Sequence, residues 1–442
     1  MYTDLAEKVL KKAERAGADE VEVVVESARD TEIVMKRGGI HSEKDCRTAA
    51  MGIRVIIGKK HSFTSCNLPF QNAENLAEHA VFLARETVED AFWEHLPYRC
   101  SPAEVEGIYS QKLAELSYEG LFELARTLLD SASSIKDVDM EEGHIKHSVE
   151  AFFIINSHGL SGRYETTTLE ADVLCAAKRS GQAECMAYDY VSSRSPDCDF
   201  TALGEKVARS ARASMGARKL QSGAGGKVLL LPDPASEVLF TPLAAAVSAE
   251  AYLRDRSPFS QEMGDEVASD ILTVTDDGTL PGGCESKPID GEGSATYNTV
   301  IIEKGYLSGL LHSEYTANIA GCSSTGNAVR TATSDVNVGP TNFIVQKGGV
   351  SLPELLEELG EGLMVERFSG SVDATTGLFS GVCKQAHYVR KGEIIHPVKE
   401  VTLSGDAFQA LKTIRLLGDS AVPEYQGIIT PSCLVEGIEM KR

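Results

Sequence analysis

Leu5, Val9, Leu10 and Ala13 recur at helical spacing through residues 3–16, with Asp4 near the positive end of the dipole. From Asp19 to Glu26 the pattern becomes DEVEVVVE, largely alternating apolar and acidic residues, which predicts a strand. Strand-like runs follow at Thr31–Met35 and Met51–Ile57, and the second leads through Gly58-Lys59-Lys60 into a hairpin with His61–Ser65. A helix from about Asn72 to Arg85 closes the unit. Helix, strands and helix in that order fit an α+β fold better than a wound βαβ sheet.

Pro97, Pro102 and isolated polar residues break the pattern around residues 95–112, which marks a sub-boundary. Beyond it the spacing predicts a helix over Tyr118–Ser134, strands at Ser148–Asn156, Leu160–Ala176 and Ala183–Tyr190, and a helix near Leu203–Ala217. Residues 221–226, QSGAGG, read as a linker between an N-terminal α+β region, 1–220, and a β-rich C-terminal domain, 227–442. In the latter, β-branched runs occur at Val228–Leu231, Ile271–Thr275, Tyr297–Glu303, Phe343–Val345, Val382–Val389 and Glu400–Leu403. Helices are predicted at 234–253, 351–359 and 406–417, and no internal repeat is found.

At 442 residues the chain exceeds one ordinary core, so two or three domains are expected. The formal charge of −22 argues against a nucleic-acid partner, which needs a basic stripe to displace counterions. The charged first helix does not resemble a signal peptide, and nothing approaches the roughly 18 apolar residues of a membrane span. A cytoplasmic protein is expected, with its ten cysteines, none in a CxxC pair, as free thiols.

Hydrolytic motifs fail one by one. None of the ten His residues precedes a Glu, so the helix of a zinc protease is missing. His144 and His147, with Glu142, read as a polar β-turn between strands rather than a metal site. No GxSxG elbow exists, and Ser133–Lys136 matches SxxK without companion motifs. Gly223, Gly225, Gly226 and Lys227 lack the spacing of a phosphate loop. Cys322 and Cys383 are candidate nucleophiles with His312 or His387 as base, although free cysteines are more often buried and inert. His312 also stands where it can cap or open a short helix. Asp276-Asp277 and the trio Asp290, Glu292 and Glu262 have the chemistry of acids and bases, but acid–Gly pairs more often build turns.

The segment from Asp276 to Asn342 packs Gly, Thr, Asn and acids between short β-branched runs. Its strings DGEGSATYNTVIIEKGYLSGLLHSEYTANIAG, STGNAVR and GPTNF stand between RSPFSQEMGDEVASDILTVTDDGTL and TGLFSGVCKQAHYVRKGEIIHPVKEVTLSGD. In that order they resemble the TldD/PmbA family, and specifically its PmbA (TldE) branch, over nearly the whole chain. The resemblance implies an N-terminal α+β portion and a C-terminal portion mainly of curved antiparallel sheet with a few helices. It also implies intracellular peptide hydrolysis by pairs of subunits. The TldD-like subunit carries an HExxxH metal helix and a late Cys ligand, and the PmbA-like subunit lacks them. Counted back from Ser257-Pro258-Phe259, the HExxxH slot falls on Phe240–Ala245. Phe240 and Ala245 stand where imidazoles would ligate metal, and Thr241 stands where the acid would be. Cys433, in TPSCLVEG, looks like part of the terminal strand and not a ligand loop.

The expectation is therefore a subunit with no catalytic residue and no metal of its own. It would complete a heterodimer with a TldD-like chain that holds zinc or a similar divalent metal, and would help to hold extended or unfolded peptide substrate. His312, Ser313, Tyr315, Arg330, Thr341 and Asn342 are expected to face the shared cavity. Self-pairing where the partner is missing stays open, and neither nucleic acid nor membrane is expected as a partner. Two alternatives remain open: a non-enzymatic peptide-binding or scaffold homodimer, and an autonomous hydrolase using a nucleophile such as Cys383.

Overall fold

The computed structural model describes residues 2–70, 73–178, 185–220, 226–424 and 427–441. The expected linker lies outside the described residues except for Gly226, as do Asn72 at the start of the second expected helix and residues 183–184. The fold is α+β. Its first sheet has six antiparallel strands in the order β3-β2-β1-β4-β5-β6. These are β1 (Glu20–Lys36), β2 (Gly39–Ile57), β3 (Lys60–Asn67), β4 (Val138–Asn156), β5 (Ser161–Ala177) and β6 (Cys185–Ser193). The helices of this part are α1 (Thr3–Arg15), α2 (Ala73–Glu86), the single turn α3 (Gln111–Ala114), α4 (Tyr118–Ala132) and α5 (Phe200–Ala213).

Alternation along β1 explains how the sheet is covered. Val21, Val23 and Val25, with Met51, Ile53 and Val55 of β2, pack on the apolar stripes of α1 and α2. Further along the same face, Ile33 and Met35 join a cluster with α4 and α5. All four long helices thus share one face. The intervening positions Glu22, Val24 and Glu26 point to the other face, where Val24 packs with Ile154, Ile289 and Ala332.

Three sequence expectations are corrected here. Where two strands are predicted between Asp19 and Met35, one strand of 17 residues runs through, because Ser27–Asp30 are paired on both sides by β2 and β4. β2 begins at Gly39, twelve residues before the predicted start at Met51. Its polar half has no hydrophobic signature and is held by backbone pairing with β1. His144 and His147 do not occupy a turn: both lie within β4, and His144 Nδ1 meets the Asp172 carboxylate of β5 at 3.1 Å.

The second sheet is mixed, with 13 strands. It contains β7 (Arg218–Lys219), β8 (Lys227–Leu230), β9 (Val274–Asp277), β10 (Asn298–Glu303) and β11 (Tyr306–Leu307). A separate two-stranded pair, β12 (Ala328–Val329) and β13 (Asn337–Val338), lies beside it. The large sheet continues with β14 (Phe343–Val345), β15 (Glu361–Val372), β16 (Leu378–Arg390), β17 (Glu393–Lys399), β18 (Thr402–Asp406), β19 (Ile414–Pro423), β20 (Ile428–Glu436) and β21 (Glu439–Lys441). Most of its pairings are antiparallel, but β8 with β15, β14 with β20 and β7 with β17 are parallel. β7 joins this sheet from the N-terminal side of the expected linker. Cys433 lies in β20, the strand before the last.

The predicted helix over 234–253 is broken into α6 (Pro232–Ala235), a π-turn at Ser236–Phe240, α7 (Thr241–Ala246) and α8 (Ala249–Leu253). Pro242 lacks the N–H that a continuous α-helix would use, and it sits in the first turn of α7, where that loss is tolerated. Val238, Leu239, Phe240 and Leu243 fill the main core against Val228, Val274, Phe343 and Val435. Two further helices, α9 (Glu314–Ala320) and α10 (Leu352–Leu359), flank the sheet. The last one, α11 (Ala407–Lys412), is shorter than the 406–417 predicted, since β19 takes over at Ile414. Among the described residues no helix is long and apolar enough to cross a membrane.

Candidate functional site

The acids of the turn-rich segment are taken up as hydrogen-bond acceptors. Asp276, at the end of β9, accepts from Asn327 Nδ2 at 2.6 Å and from Thr341 N and Oγ1, both at 2.8 Å. Burial pushes its carboxyl above the usual range despite those bonds. Asp290 accepts from the backbone N–H groups of Glu292 and Ser294 at 2.9 Å and of Ala328 at 3.0 Å. Full burial, and then the charge of Glu292, push Asp290 up to about 7. Asn342 Nδ2 donates to Asp277 O at 2.6 Å and Ser286 Oγ at 2.8 Å. These groups hold one loop against another, with three donors on each of the two carboxylates. Glu262 belongs to a separate turn, in which its N–H donates to Phe259 O at 2.8 Å.

A buried ion network joins this segment to the first sheet. Arg54 of β2 meets Glu22 of β1 at 3.2 Å and Glu292 at 2.8 Å. Arg330 also pairs with Glu22, and its side chain is fully buried, with the guanidinium over the Phe63 ring at 5.4 Å. Two arginines and two glutamates thus neutralise one another where the sheets meet. Gly52 is needed beside them, since a Cβ there would stand 2.4 Å from Ala332 O.

The six expected site residues do not share one cavity. Ser313 caps α9 through a capping box with Thr316. Tyr315, the second residue of α9, donates to Asp90 Oδ2 at 2.8 Å and stacks on Trp93 with ring centroids 6.2 Å apart. Burial, then the Asp90 carboxylate, push the Tyr315 phenol up to about 12. Ser313 and Tyr315 line a hollow with Arg54, Trp93 and Asp335. Asn342 lines a different cleft of about 830 Å³ between the sheets, near Tyr188 and Arg367. Thr341 is buried on Asp276, and Arg330 is buried on Glu22. His312 precedes the cap: its N–H donates to Thr325 Oγ1 at 2.7 Å, and its Nε2 lies 3.8 Å from Cys322 Sγ. Burial holds this imidazole below its usual value.

Asp90, Trp93, Glu22 and Arg54 were not singled out in the sequence. Trp93, the only tryptophan, lies between the helix expected to end at Arg85 and the break around residues 95–112. The alternation of DEVEVVVE does place Glu22 opposite the helix-covered face, and that was the available signal.

The slot aligned with HExxxH offers no metal donors. Phe240 is fully buried in the main core, Ala245 is exposed, and Thr241 lies between them at the start of α7. A phenyl ring and a methyl group have no lone pair for zinc, so these residues do not fit the metal that the family resemblance implies. Among the described residues no group of three or more His, Cys, Asp or Glu is placed to hold a metal ion. Cys383 is buried and its thiol is pushed up to about 12, and His387 faces Glu366 at 3.2 Å. No activated thiolate is built there.

Comparison with known proteins places the chain in a family. Residues 223–442 match the PmbA/TldA metallopeptidase C-terminal domain, and residues 111–215 match the central domain of the same family. A protein of Methanocaldococcus jannaschii is 28% identical over 433 residues, covering 98% of each chain. Metalloprotease PmbA of Escherichia coli O157:H7 is 25% identical over 410 residues, 91% of this chain and 88% of its own. The crystal structure of TldE from Thermococcus kodakarensis has the same fold, with a TM-score of 0.90 at 21% identity over 99% of each chain.

Proposed function

The chain belongs to the PmbA/TldD metallopeptidase family, and within it we propose that this chain is the subunit without a metal site. It pairs with a TldD-like metalloprotease chain, which carries the zinc or similar divalent ion, and it supplies architecture and a surface for extended peptide. One observation carries the reading: the metal slot is filled by Phe240, a core residue with no exposure. Conversion to a ligand at that position would open the main core. The acids nearby support the same reading, since Asp276 and Asp290 are buried and each is tied to neighbouring loops by three donors.

In this reading residues 1–220 and 227–442 are the two working parts, and the family matches break between 215 and 223. Ser313 and Tyr315 face substrate, whereas His312, Arg330, Thr341 and Asn342 keep the loops around them in shape. The protein works in the cytoplasm on unfolded or extended peptides. Co-expression with a TldD-like chain tests the pairing: a one-to-one complex is expected on size exclusion, and separate elution of the two chains would overturn it. The scaffold-homodimer reading would then be preferred.

A further inference from the structure

Two adjoining hollows, of about 270 and 830 Å³, share His61, Asp90, Glu250, Arg254, Tyr315 and Thr316 and so form one groove. Its size suits a short ligand segment and not a globular interface. Three apolar side chains at its edge stand open to solvent, Val88 and Phe92 largely and Leu253 in part: Val88 is 86% exposed, Phe92 64% and Leu253 37%. An apolar cluster left in water beside a hollow is a recognition feature more often than a packing one.

Among the side chains that line the groove the charges are unbalanced towards acid, with Lys59 Nζ outside the lining and donating to Ala91 O at 2.8 Å. Its arginines are already neutralised, Arg254 by Glu250 at 3.2 Å and Arg54 by Glu22 and Glu292. Among the described residues the Asp90 carboxylate receives hydrogen bonds only from neutral donors, Tyr315 Oη at 2.8 Å and Phe92 N at 2.9 Å. Glu89 and Asp335 are exposed, and no ion pair of Glu89, Asp90 or Asp335 occurs among the described residues. The complementary ligand therefore brings its own cation next to an apolar side chain.

We propose that this groove binds an extended peptide that presents an aromatic or aliphatic side chain beside a lysine or arginine. The proposal rests on the peptide-handling reading and names the substrate class it favours. The apolar side chain lies among Val88, Phe92 and Leu253, and the cation lies against Glu89 and Asp90. Tyr315 joins groove to core, so occupancy alters the surroundings of Trp93, on which it stacks.

The sole tryptophan makes the test direct. The purified chain, without any partner, is titrated with the capped hexapeptide Ala-Lys-Phe-Leu-Lys-Ala while tryptophan emission is followed. A saturable change is expected, with affinity about tenfold lower for the analogue in which both lysines are glutamates, and about tenfold lower again for Glu89→Lys with the basic peptide. Phe92→Ser, at an exposed position, should also weaken binding while circular dichroism stays unchanged. No saturable change, equal affinity for both peptides, or parental affinity in both variants would overturn the proposal. Loss of pairing with a TldD-like chain in Phe92→Ser would also overturn it, by assigning the groove to the subunit interface. Peptide binding by a chain that never pairs would leave the groove standing and remove the subunit reading instead.

Discussion

Replacing Arg54 by Met probes how the two sheets are held together. Arg54 is 4% exposed and touches two carboxylates, Glu22 on β1 and Glu292 in the turn-rich segment. Its removal leaves those two buried carboxylates facing one guanidinium, that of Arg330. Breaking a buried pair in this way costs about 3–5 kcal/mol, mainly the desolvation of the charge left unpaired. With an unfolding entropy of about 2.1 cal/mol/K per residue, a chain of 442 residues that unfolds together has a total near 0.9 kcal/mol/K. A loss of about 4 kcal/mol then lowers Tm by about 4 °C. Differential scanning calorimetry measures both the shift and whether the chain melts as one unit. If docking of the sheets fails first, the transition splits. Adding Glu292→Gln to Arg54→Met removes the orphaned charge but keeps an oxygen for Glu314 N–H, which donates to Glu292 at 3.0 Å. That double variant should recover about half of the loss. A Tm within 1 °C of the parent for Arg54→Met, about the limit of resolution, would refute the argument.

Further perturbations test other parts. Phe240→Ala empties a fully buried ring position in the main core and should cost about 3–5 kcal/mol by chemical denaturation, with no gain of metal. Gly52→Val places side-chain atoms against Ala332 O, which a Cβ would already approach to 2.4 Å, and should cost about 1–3 kcal/mol while increasing proteolysis of the 328–334 segment. Asp290, pushed up to about 7, binds a proton more tightly in the folded chain than in the unfolded one. Its contribution is therefore full below about pH 4 and is lost as pH rises towards 7. The Tm difference between the parent and Asp290→Asn should shrink across that window and stay flat above it. Tyr315→Phe deletes the bond to Asp90 and should shift Trp93 emission while costing only about 1 kcal/mol.

Elements with their own hydrophobic period were legible in the sequence. The stripe of α1, the valines of β1 and the Gly58-Lys59 hairpin fall where their patterns place them, since each pattern is satisfied by local neighbours. Residues 39–50 of β2 and Ser27–Asp30 of β1 were illegible because their strand state is imposed by pairing with other strands. The break at Ser236–Phe240 has a cause in the sequence, Pro242, but the π-turn that accommodates it depends on the surrounding core. The same division applies to the site. The missing metal donors can be read directly, because Phe240 and Ala245 lack lone pairs wherever they lie. The groove cannot, because the Asp90–Trp93 turn, Glu250 and Tyr315 come from three separated segments that meet only through tertiary packing.

Peptide hydrolysis by the purified components tests the central claim most directly. An unfolded polypeptide is incubated with this chain alone, with a TldD-like chain alone, and with an equimolar mixture, each with and without chelator, while bound metal is counted. The account predicts no cleavage and less than one metal per molecule for this chain alone, and chelator-sensitive cleavage by the mixture above that of the partner alone. Chelator-sensitive cleavage by this chain alone, with a metal bound one-to-one, would contradict it.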